Sequence, residues 1–501
     1  MSKRADEDYD PDGSRLPVKI DSTSNGEFMP QPISRANEHG NALAHEQAET
    51  FAKKLGLSRR GFLTSTCGAA STLLAMNAAN AAAGKTGGGF NIPAAAAFEP
   101  DLADSVLGGD DFIFDIQGHH TGPLETWRDD PARFKKRFVF KFQPQSNCDY
   151  PAPDEDIGFM NCFTSDAFAK EIFLDSDTDL AVLTFSPSPV ERMSLTYSEA
   201  AATRELVDGM KGTNRLLLHG RSIPNLPGDI ERMPEVVEEW GISAWKTYTQ
   251  YGPDLASGWW FTDPVGERFI EAVRGSGVKL VCVHKGLPLP FPAMGEKNLG
   301  YRLCTDIGPV AKANPDITFI VYHSGFDITM TEGPYVRGKP VGGIDHLIDS
   351  LLDNGIPPNS NVYAELGTTW RELMKDPDQA SHSIGKLLKY VGEDRLVWGT
   401  DCIWYGSPQD QIQAFRTFQI SAEHQEKYGY PAITPQIRAK VFGLNAAVPY
   451  GISAAEIKAQ TQGDAVAASR ENYKNQTDPS FLTYGPRTRR EFLKFIRSGH
   501  A

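Results

Sequence analysis

The chain of 501 residues is long enough for one large domain with extensions or for two to three ordinary domains. It is 40% hydrophobic and 10% aromatic, which is ample for a packed core. A net charge of −14 argues against nucleic acid and anionic membranes as partners. The six cysteines are scattered without a CxxC pair, which argues against a disulfide framework or a cysteine-rich zinc site.

The first part of the chain lacks the periodicity of a helix or a strand. Residues 1–57 are polar and rich in Asp, Glu, Ser, Asn and Pro, so they are predicted to be a disordered leader.

A short basic and apolar segment follows this leader. Residues 58–84 begin with Ser58, the pair Arg59 and Arg60, then Gly61-Phe62-Leu63, and continue into an Ala-rich apolar stretch with Ala-x-Ala sites. The segment resembles a twin-arginine export signal, which implies export machinery as a partner and a periplasmic or exported location. The apolar stretch is too short and too rich in Ala for a stable membrane anchor, so no stable membrane insertion is expected.

From residue 112 onward, short apolar runs alternate with amphipathic stretches. Strands are predicted at 112–119, 179–186, 215–220, 242–248, 278–284, 317–323, 361–366 and 396–400. Helices are predicted at 198–211, 230–240, 265–275, 302–313, 343–354, 382–391 and 409–421. The alternation predicts an α/β protein, a (β/α)8 TIM barrel with insertions at the C-terminal face of its strands. A doubly wound open sheet is the alternative, but the GxGxxG turn that would accompany it is absent after the first strand.

The predicted barrel domain spans residues 85–452, with a long insertion at 121–178 after the first strand and a polar C-terminal extension at 453–501. The extension is expected to wrap the barrel or to contact a second subunit.

Chemically active side chains recur where the predicted strands end. In a barrel these ends meet at one face, where catalytic groups gather. The residues placed there are His119, His219, Lys246, His284, His323, Glu365 and Asp401. Neutral imidazoles with a carboxylate are typical ligands of a divalent transition metal.

Several short motifs, in order and on the expected strand ends, resemble the amidohydrolase superfamily, in particular its aminocarboxymuconate-semialdehyde decarboxylase-like branch. They are Asp115-Ile116-Gln117-Gly118-His119, His284, His323-Ser324-Gly325, Trp398-Gly399-Thr400-Asp401 and Phe442-Gly443-Leu444-Asn445-Ala446. The resemblance covers about residues 110–452. It implies a small-molecule substrate and a divalent cation, zinc or alternatively manganese, held by His119, His284 and Asp401. A homodimer is a further expectation by analogy with the family.

Gln117 departs from the family pattern, in which His-x-His is expected on the first strand. Glutamine is a poor zinc ligand beside imidazole, although its carbonyl oxygen can bind a harder ion. Three interpretations stay open: one metal with Gln117 assisting, a metal-free hydrolase like some lactonase-like relatives, or a non-catalytic binding barrel.

The resemblance also suggests roles for the remaining residues. Asp401 is expected to act as general base, and His323 to polarise a carbonyl or stabilise an oxyanion. The candidate substrate-binding residues are His219, Lys246, Arg221 and Tyr248. The expected reaction is hydrolysis of a small cyclic or aromatic ester, lactone or amide. Non-oxidative decarboxylation of an aromatic or enoic acid is the alternative.

Overall fold

The computed structural model describes residues 15–123, 163–188, 190, 193–208, 214–253, 258–288, 300–474, 477–479 and 481–493. Of the predicted insertion 121–178, residues 124–162 therefore lie outside the described residues.

Eight parallel strands form one sheet in which neighbours in sequence are neighbours in space. They are β2 (Phe114–Gly118), β3 (Leu180–Leu183), β4 (Leu216–Arg221), β5 (Ala244–Tyr248), β6 (Leu280–His284), β7 (Thr318–Tyr322), β8 (Val362–Glu365) and β9 (Leu396–Val397). The sheet closes on itself, because the Ile116 amide donates to the Trp398 carbonyl (3.2 Å) and the Asp401 amide donates to the Gln117 carbonyl (2.9 Å). The predicted (β/α)8 barrel is confirmed.

A second sheet of two antiparallel strands, β1 (Gly88–Phe90) and β10 (Phe418–Ile420), lies outside the barrel.

Eighteen α-helices occur in the described residues. They are α1 (Arg35–Leu55), α2 (Arg59–Leu63), α3 (Thr66–Ala82), α4 (Pro100–Leu107), α5 (Ser165–Phe168), α6 (Tyr197–Asp208), α7 (Met233–Trp240), α8 (Pro264–Ser276), α9 (Ile307–Ala313), α10 (Gly343–Asp353), α11 (Thr369–Leu373), α12 (Pro377–Tyr390), α13 (Gln409–Thr417), α14 (Ala422–Tyr428), α15 (Pro435–Ala439), α16 (Asn445–Ala447), α17 (Ala454–Thr461) and α18 (Ala465–Tyr473). Short 3₁₀ turns span Ala94–Ala97, Gly300–Arg302 and His323–Gly325, and π-helical turns span Ala169–Leu174 and Lys440–Leu444. The predicted helices are thus present, with ends shifted by a few residues. The helix predicted at 409–421 is wrong at its end, because residues 418–420 form strand β10.

The prediction of a disordered leader is wrong for residues 15–57. Leu16, Val18, Ile20 and Phe28 are buried, and α1 follows them. Burying each of these four apolar side chains contributes about 1.5–3 kcal/mol.

Helix α1 was missed because its buried face carries small and polar residues instead of large apolar ones. That face contains Asn37, Gly40, Asn41, Ala44, Ala48 and Ala52. A side chain at Gly40 would collide with Met76, since its Cβ would lie 2.5 Å from the Met76 sulfur. The face is therefore suited to close packing against α3, but its low hydropathy conceals the helical period.

The segment that resembles an export signal is folded as well, and it packs against α1. In α3, Cys67, Ala70, Leu73 and Met76 are buried against α1, α4 and α13. In the part of the chain that is described, no helix is long and apolar enough to cross a membrane.

The C-terminal extension contacts the barrel through polar side chains. Asp464 accepts two hydrogen bonds from the buried Arg215 guanidinium, at 2.5 and 3.0 Å. Thr483 shares a 2.7 Å hydrogen bond with Thr23, so the C-terminal extension contacts the N-terminal segment.

Candidate active site

The predicted metal and catalytic residues converge at the C-terminal ends of the barrel strands. Gln117 lies near the end of β2 and His119 directly follows that strand. His284 ends β6, His323 follows β7 and Asp401 follows β9. Parallel strands in a closed sheet end at one rim, which brings together side chains distant in sequence.

Asp401 is the most heavily hydrogen-bonded group of this rim. Its Oδ1 accepts from Gln117 Nε2 (3.1 Å) and lies 3.1 Å from His119 Nε2. Its Oδ2 accepts from Thr368 Oγ1 and from Asn25 Nδ2, both at 2.6 Å. Burial alone would raise the pKa of Asp401, but the hydrogen bond and charge of His119, the charge of His323 and the Thr368 hydroxyl outweigh it. The pKa of Asp401 is lowered, so the carboxylate stays ionised at neutral pH.

The hydrogen bonds of His323 fix its tautomer. Its Nδ1 donates to the Gly367 carbonyl at 2.8 Å, because a carbonyl only accepts. Burial lowers the pKa of His323 to about 4, so the ring is neutral and Nε2 carries a lone pair. A neutral ring in this tautomer accepts at Nε2. The role predicted for His323, to polarise a carbonyl or stabilise an oxyanion, stays a prediction.

His284 lies beside His323. Its Nδ1 is 3.2 Å from His323 Nε2, and its ring stacks against Tyr248 with centroids 5.0 Å apart. Burial, followed by the charge of His323, holds the pKa of His284 well below its usual value. On the other side of His323, Gln117 Nε2 lies 3.5 Å from His323 Nε2.

The backbone at the rim is strained. His323 and Asp401 have φ of 63° and 62°, and Thr368, which bonds Asp401, has φ of 54°. Residues other than Gly rarely adopt this left-handed backbone conformation, and such strain is common at functional sites.

Asp115 holds the loop that carries Asp401 in place. Its Oδ1 accepts from the Gln117 and Thr400 amides at 3.0 and 3.1 Å, and Thr400 Oγ1 donates to its Oδ2. These bonds join β2 to the chain after β9. Burial raises the pKa of Asp115 to about 7.

Two residues of the leader enter this rim and were missed in the sequence. Asn25 donates to Asp401, and Glu27 Oε1 lies 3.7 Å from His284 Nδ1. Burial and the charge of Asp401 raise the pKa of Glu27. The alternation of apolar residues at positions 16, 18 and 20 was the one sequence signal of order nearby.

Two predicted substrate-binding residues are engaged elsewhere. His219 bonds Thr184 Oγ1 (3.0 Å) and the Tyr450 hydroxyl (2.8 Å). Arg221 forms a buried bidentate pair with Asp229 at 2.8 and 3.0 Å. Their substrate roles stay predictions, but both side chains already have structural partners.

The other two lie nearer to the rim. Lys246 is fully buried, and its Nζ has no hydrogen-bond partner among the described residues; it lies 3.5 Å from the centre of the Tyr322 ring. Tyr248 donates its hydroxyl to the Phe185 carbonyl at 2.8 Å while its ring stacks on His284. Burial lowers the pKa of Lys246 to about 8.

Glu365 binds the backbone of the site. Its carboxylate accepts from the His323 amide at 2.9 Å and from the Gly367 amide. Burial raises the pKa of Glu365 to about 8.

The donors of the rim suit a divalent transition metal. Neutral imidazoles and carboxylates are its usual ligands. Among the described residues, Glu27, His284 and His323 offer ligand atoms within 4.8 Å of one another. His284 Nε2 and Gln117 Oε1 are buried without a hydrogen-bond partner among the described residues, which is costly unless a ligand meets them.

Comparisons with known proteins give a family match and several structural matches. Residues 227–452 match the family model described as Amidohydrolase. No curated protein matches the chain. Among solved structures, a 5-carboxyvanillate decarboxylase from Novosphingobium aromaticivorans complexed with manganese is 12% identical, with a TM-score of 0.43 over 69% of this chain and 97% of that one.

Two further similar structures were found. A 2,6-dihydroxybenzoate decarboxylase from Rhizobium is 14% identical, with a TM-score of 0.40 over 68% of this chain and 99% of that one. An amidohydrolase from Burkholderia multivorans with bound zinc is 14% identical, with a TM-score of 0.41 over 68% of this chain and 100% of that one. The matched segment 227–452 begins before α7 and ends after α16, so the family match covers strands β5 to β9 of the barrel.

Proposed function

We propose that this protein is a metal-dependent hydrolase of the amidohydrolase type, acting on a small cyclic or aromatic ester, lactone or amide. The observation that carries the proposal is the unbroken row of contacts from His119 through Asp401, Gln117 and His323 to His284 at one rim of the barrel. A buried row that joins the neutral rings of His284 and His323 to an ionised carboxylate is suited to holding a cation and moving a proton.

Asp401 is the residue proposed to accept a proton. It stays ionised because its neighbours lower its pKa, and it is held by Thr368 and Gln117 so that its oxygens keep one orientation. When bound, a divalent cation supplies Lewis-acid polarisation and lowers the pKa of water toward about 7. His284 and His323 are the residues proposed to hold the cation, since burial keeps both rings neutral.

Decarboxylation of an aromatic or enoic acid is the second candidate, favoured by Lys246. A buried ammonium without a hydrogen-bond partner among the described residues could pair with the carboxylate of an acid substrate. Lys246→Met should then abolish binding of the acid while leaving hydrolysis of neutral esters measurable.

The discriminating experiment measures two products from the full-length protein loaded with zinc or manganese. Hydrolysis of a panel of esters, lactones and amides supports the first candidate, and CO₂ release from aromatic acids supports the second. If neither activity is detected and the metal content is far below one ion per chain, the non-catalytic binding barrel becomes the better interpretation.

Export by the twin-arginine route is a further part of the proposal, supported by the Arg59-Arg60-Gly61-Phe62-Leu63 motif alone. Replacing both arginines with lysine should keep the protein in the cytoplasm, as cell fractionation would measure. A homodimer is likewise proposed from family analogy, and light scattering on the purified protein tests it.

A further inference from the structure

The N-terminal segment, residues 15–30, reaches the same rim as the barrel strands. It is fixed on both sides of its turn: the Ser24 amide donates to the Pro486 carbonyl at 2.9 Å, and Ser24 Oγ donates to the Phe28 carbonyl at 2.5 Å. Gly26 has φ of 97°, a conformation that favours glycine, so the chain can reverse there. This turn places Asn25 and Glu27 over the site.

Glu27 lies close to the two neutral histidines. Its Oε1 is 3.7 Å from His284 Nδ1, its Oε2 is 4.0 Å from His323 Nε2, and those two nitrogens are 3.2 Å apart. Tetrahedral ligands at the usual zinc–nitrogen distance lie about 3.4 Å from one another. The three side chains therefore stand near the separations that one small cation requires, and the cation would replace the hydrogen bond between His284 Nδ1 and His323 Nε2.

Asp401 is less suited to bind a cation in this arrangement. The four contacts from Gln117, His119, Thr368 and Asn25 occupy both of its oxygens. An ionised carboxylate has about four acceptor positions, so none is left without breaking a hydrogen bond. Glu27, by contrast, accepts one hydrogen bond at Oε2, from Asn25 at 2.8 Å.

We propose that Glu27, His284 and His323 form the divalent-cation site of this protein, with Asp401 left free of the metal as the proton acceptor. This inference rests on the proposed metal-dependent function and deepens it. The residues before the arginine pair are then part of the active protein and not a leader to be discarded.

The packing of the leader agrees with its retention. Asp21 pairs with the buried Arg371 at 2.6 Å, and Lys19 pairs with the buried Asp410 at 3.3 Å. Cleavage near residues 82–84 would leave Arg371 and Asp410 without these partners and would uncover the α4 and α13 surfaces that α3 covers. Any export must therefore carry the segment along.

The test compares cation binding by full-length protein and three variants. Glu27→Gln keeps the shape of the side chain and removes its charge, Glu49→Gln is the matched control on the exposed face of α1, and Asp401→Asn removes the proposed base. Zn²⁺ content by mass spectrometry, a Zn²⁺ binding isotherm and the visible spectrum of the Co²⁺-loaded protein are measured, with circular dichroism as the folding control.

We expect about one ion per chain in the wild type and in Glu49→Gln. Because even outer-shell changes weaken metal sites by about 10–100-fold, loss of the ligand in Glu27→Gln should weaken Zn²⁺ binding by about 100-fold or more and change the Co²⁺ spectrum. Asp401→Asn should keep its metal and lose activity.

Different failures separate the two proposals. If Glu27→Gln binds Zn²⁺ like the wild type while Asp401→Asn loses it, the Glu27 site is wrong and the metal-dependent hydrolase stands. If the wild type binds no metal, the metal-dependent function fails and the Glu27 site fails with it. An active, metal-loaded protein whose intact mass shows a start near residue 84 would also overturn the Glu27 site.

Discussion

Two stretches of chain supply polar groups to the same rim by different physical means. Strand β2 is held by main-chain pairing to β3 and by contacts to the chain after β9, so Gln117 and His119 inherit their positions from the sheet. The N-terminal segment contributes Asn25 and Glu27 without a helix or strand of its own, and side-chain contacts fix it.

The difference shows how a site can depend on contacts that leave little trace in local sequence. A barrel strand is specified by a short apolar run, which can be recognised in the sequence without knowledge of its partners. The N-terminal segment is specified by its partners, such as Arg371, Asp410 and Thr483, which lie 350 to 460 residues away in the chain. Its position is therefore the more fragile of the two.

The largest expected effect is on the barrel side. Asp401→Asn should lower kcat by about 10²–10⁴-fold, because the neutral amide cannot accept the proton. The measurement is hydrolysis at saturating ester or lactone, with Asp353→Asn, at an exposed ion pair, as the control. Undiminished kcat in Asp401→Asn would remove Asp401 from the catalytic role.

The second largest expected effect is a loss of stability on breaking the ion pair of Asp21 and Arg371, which anchors the N-terminal segment. Asp21→Asn removes the ion pair of Asp21 with the buried Arg371 at 2.6 Å, while Glu372 still pairs with Arg371 at 3.1 Å. The free energy of unfolding should therefore fall by about 1.5–3 kcal/mol, the range of a hydrogen bond to a charged group. Urea unfolding measures it. The exposed pair of Arg337 and Asp353 is the control, since Arg337→Gln should cost no more than about 1 kcal/mol. Equal losses in the two variants would contradict the buried anchor.

The same ion pair predicts a pH dependence. Burial would raise the pKa of Asp21, but the charge of Arg371, together with those of Arg487 and Lys375, outweighs it and holds that pKa below its usual 3.8. The unfolded chain then binds more protons at low pH, so stability from Asp21 is complete above about pH 5 and is lost as the pH falls. The difference in unfolding free energy between wild type and Asp21→Asn should shrink below pH 3.8. A difference that grows on acidification would refute this sign.

Gln117→His tests how much strand β2 contributes to cation binding. An imidazole in place of an amide that lies 3.5 Å from His323 Nε2 should strengthen Zn²⁺ binding by about 10-fold, on the scale of changes around metal sites. A Zn²⁺ isotherm on both proteins measures it. Unchanged affinity would indicate that the cation lies nearer to Glu27 than to strand β2.

The smallest expected effect lies at the start of α1. Ser34 Oγ accepts from the Asn37 amide at 3.2 Å, so Ser34→Ala should lower stability by about 1 kcal/mol. Ser34→Asp keeps an acceptor and should retain most of the stability. Thermal unfolding measures both, and a larger loss in Ser34→Asp than in Ser34→Ala would count against the cap.

The barrel was predictable because each strand carries its own apolar run, and most strands lead to a residue typical of active sites. His284 and His323 followed from that rule, as did Asp401. Arg221 and His219 obeyed the same rule and yet have structural partners, Asp229 and Tyr450. A strand-end position places a side chain near the rim, but its contacts decide whether it is free to bind.

The sequence by itself determined the alternation of strands and helices, the closed barrel, and the set of imidazoles and carboxylate at its rim, because these depend on period and order along the chain. Only the tertiary structure decided that residues 15–57 are folded, that Asp401 is saturated with hydrogen bonds and that Glu27 faces His284 and His323. These depend on pairs of groups hundreds of residues apart, for which a local pattern carries no information.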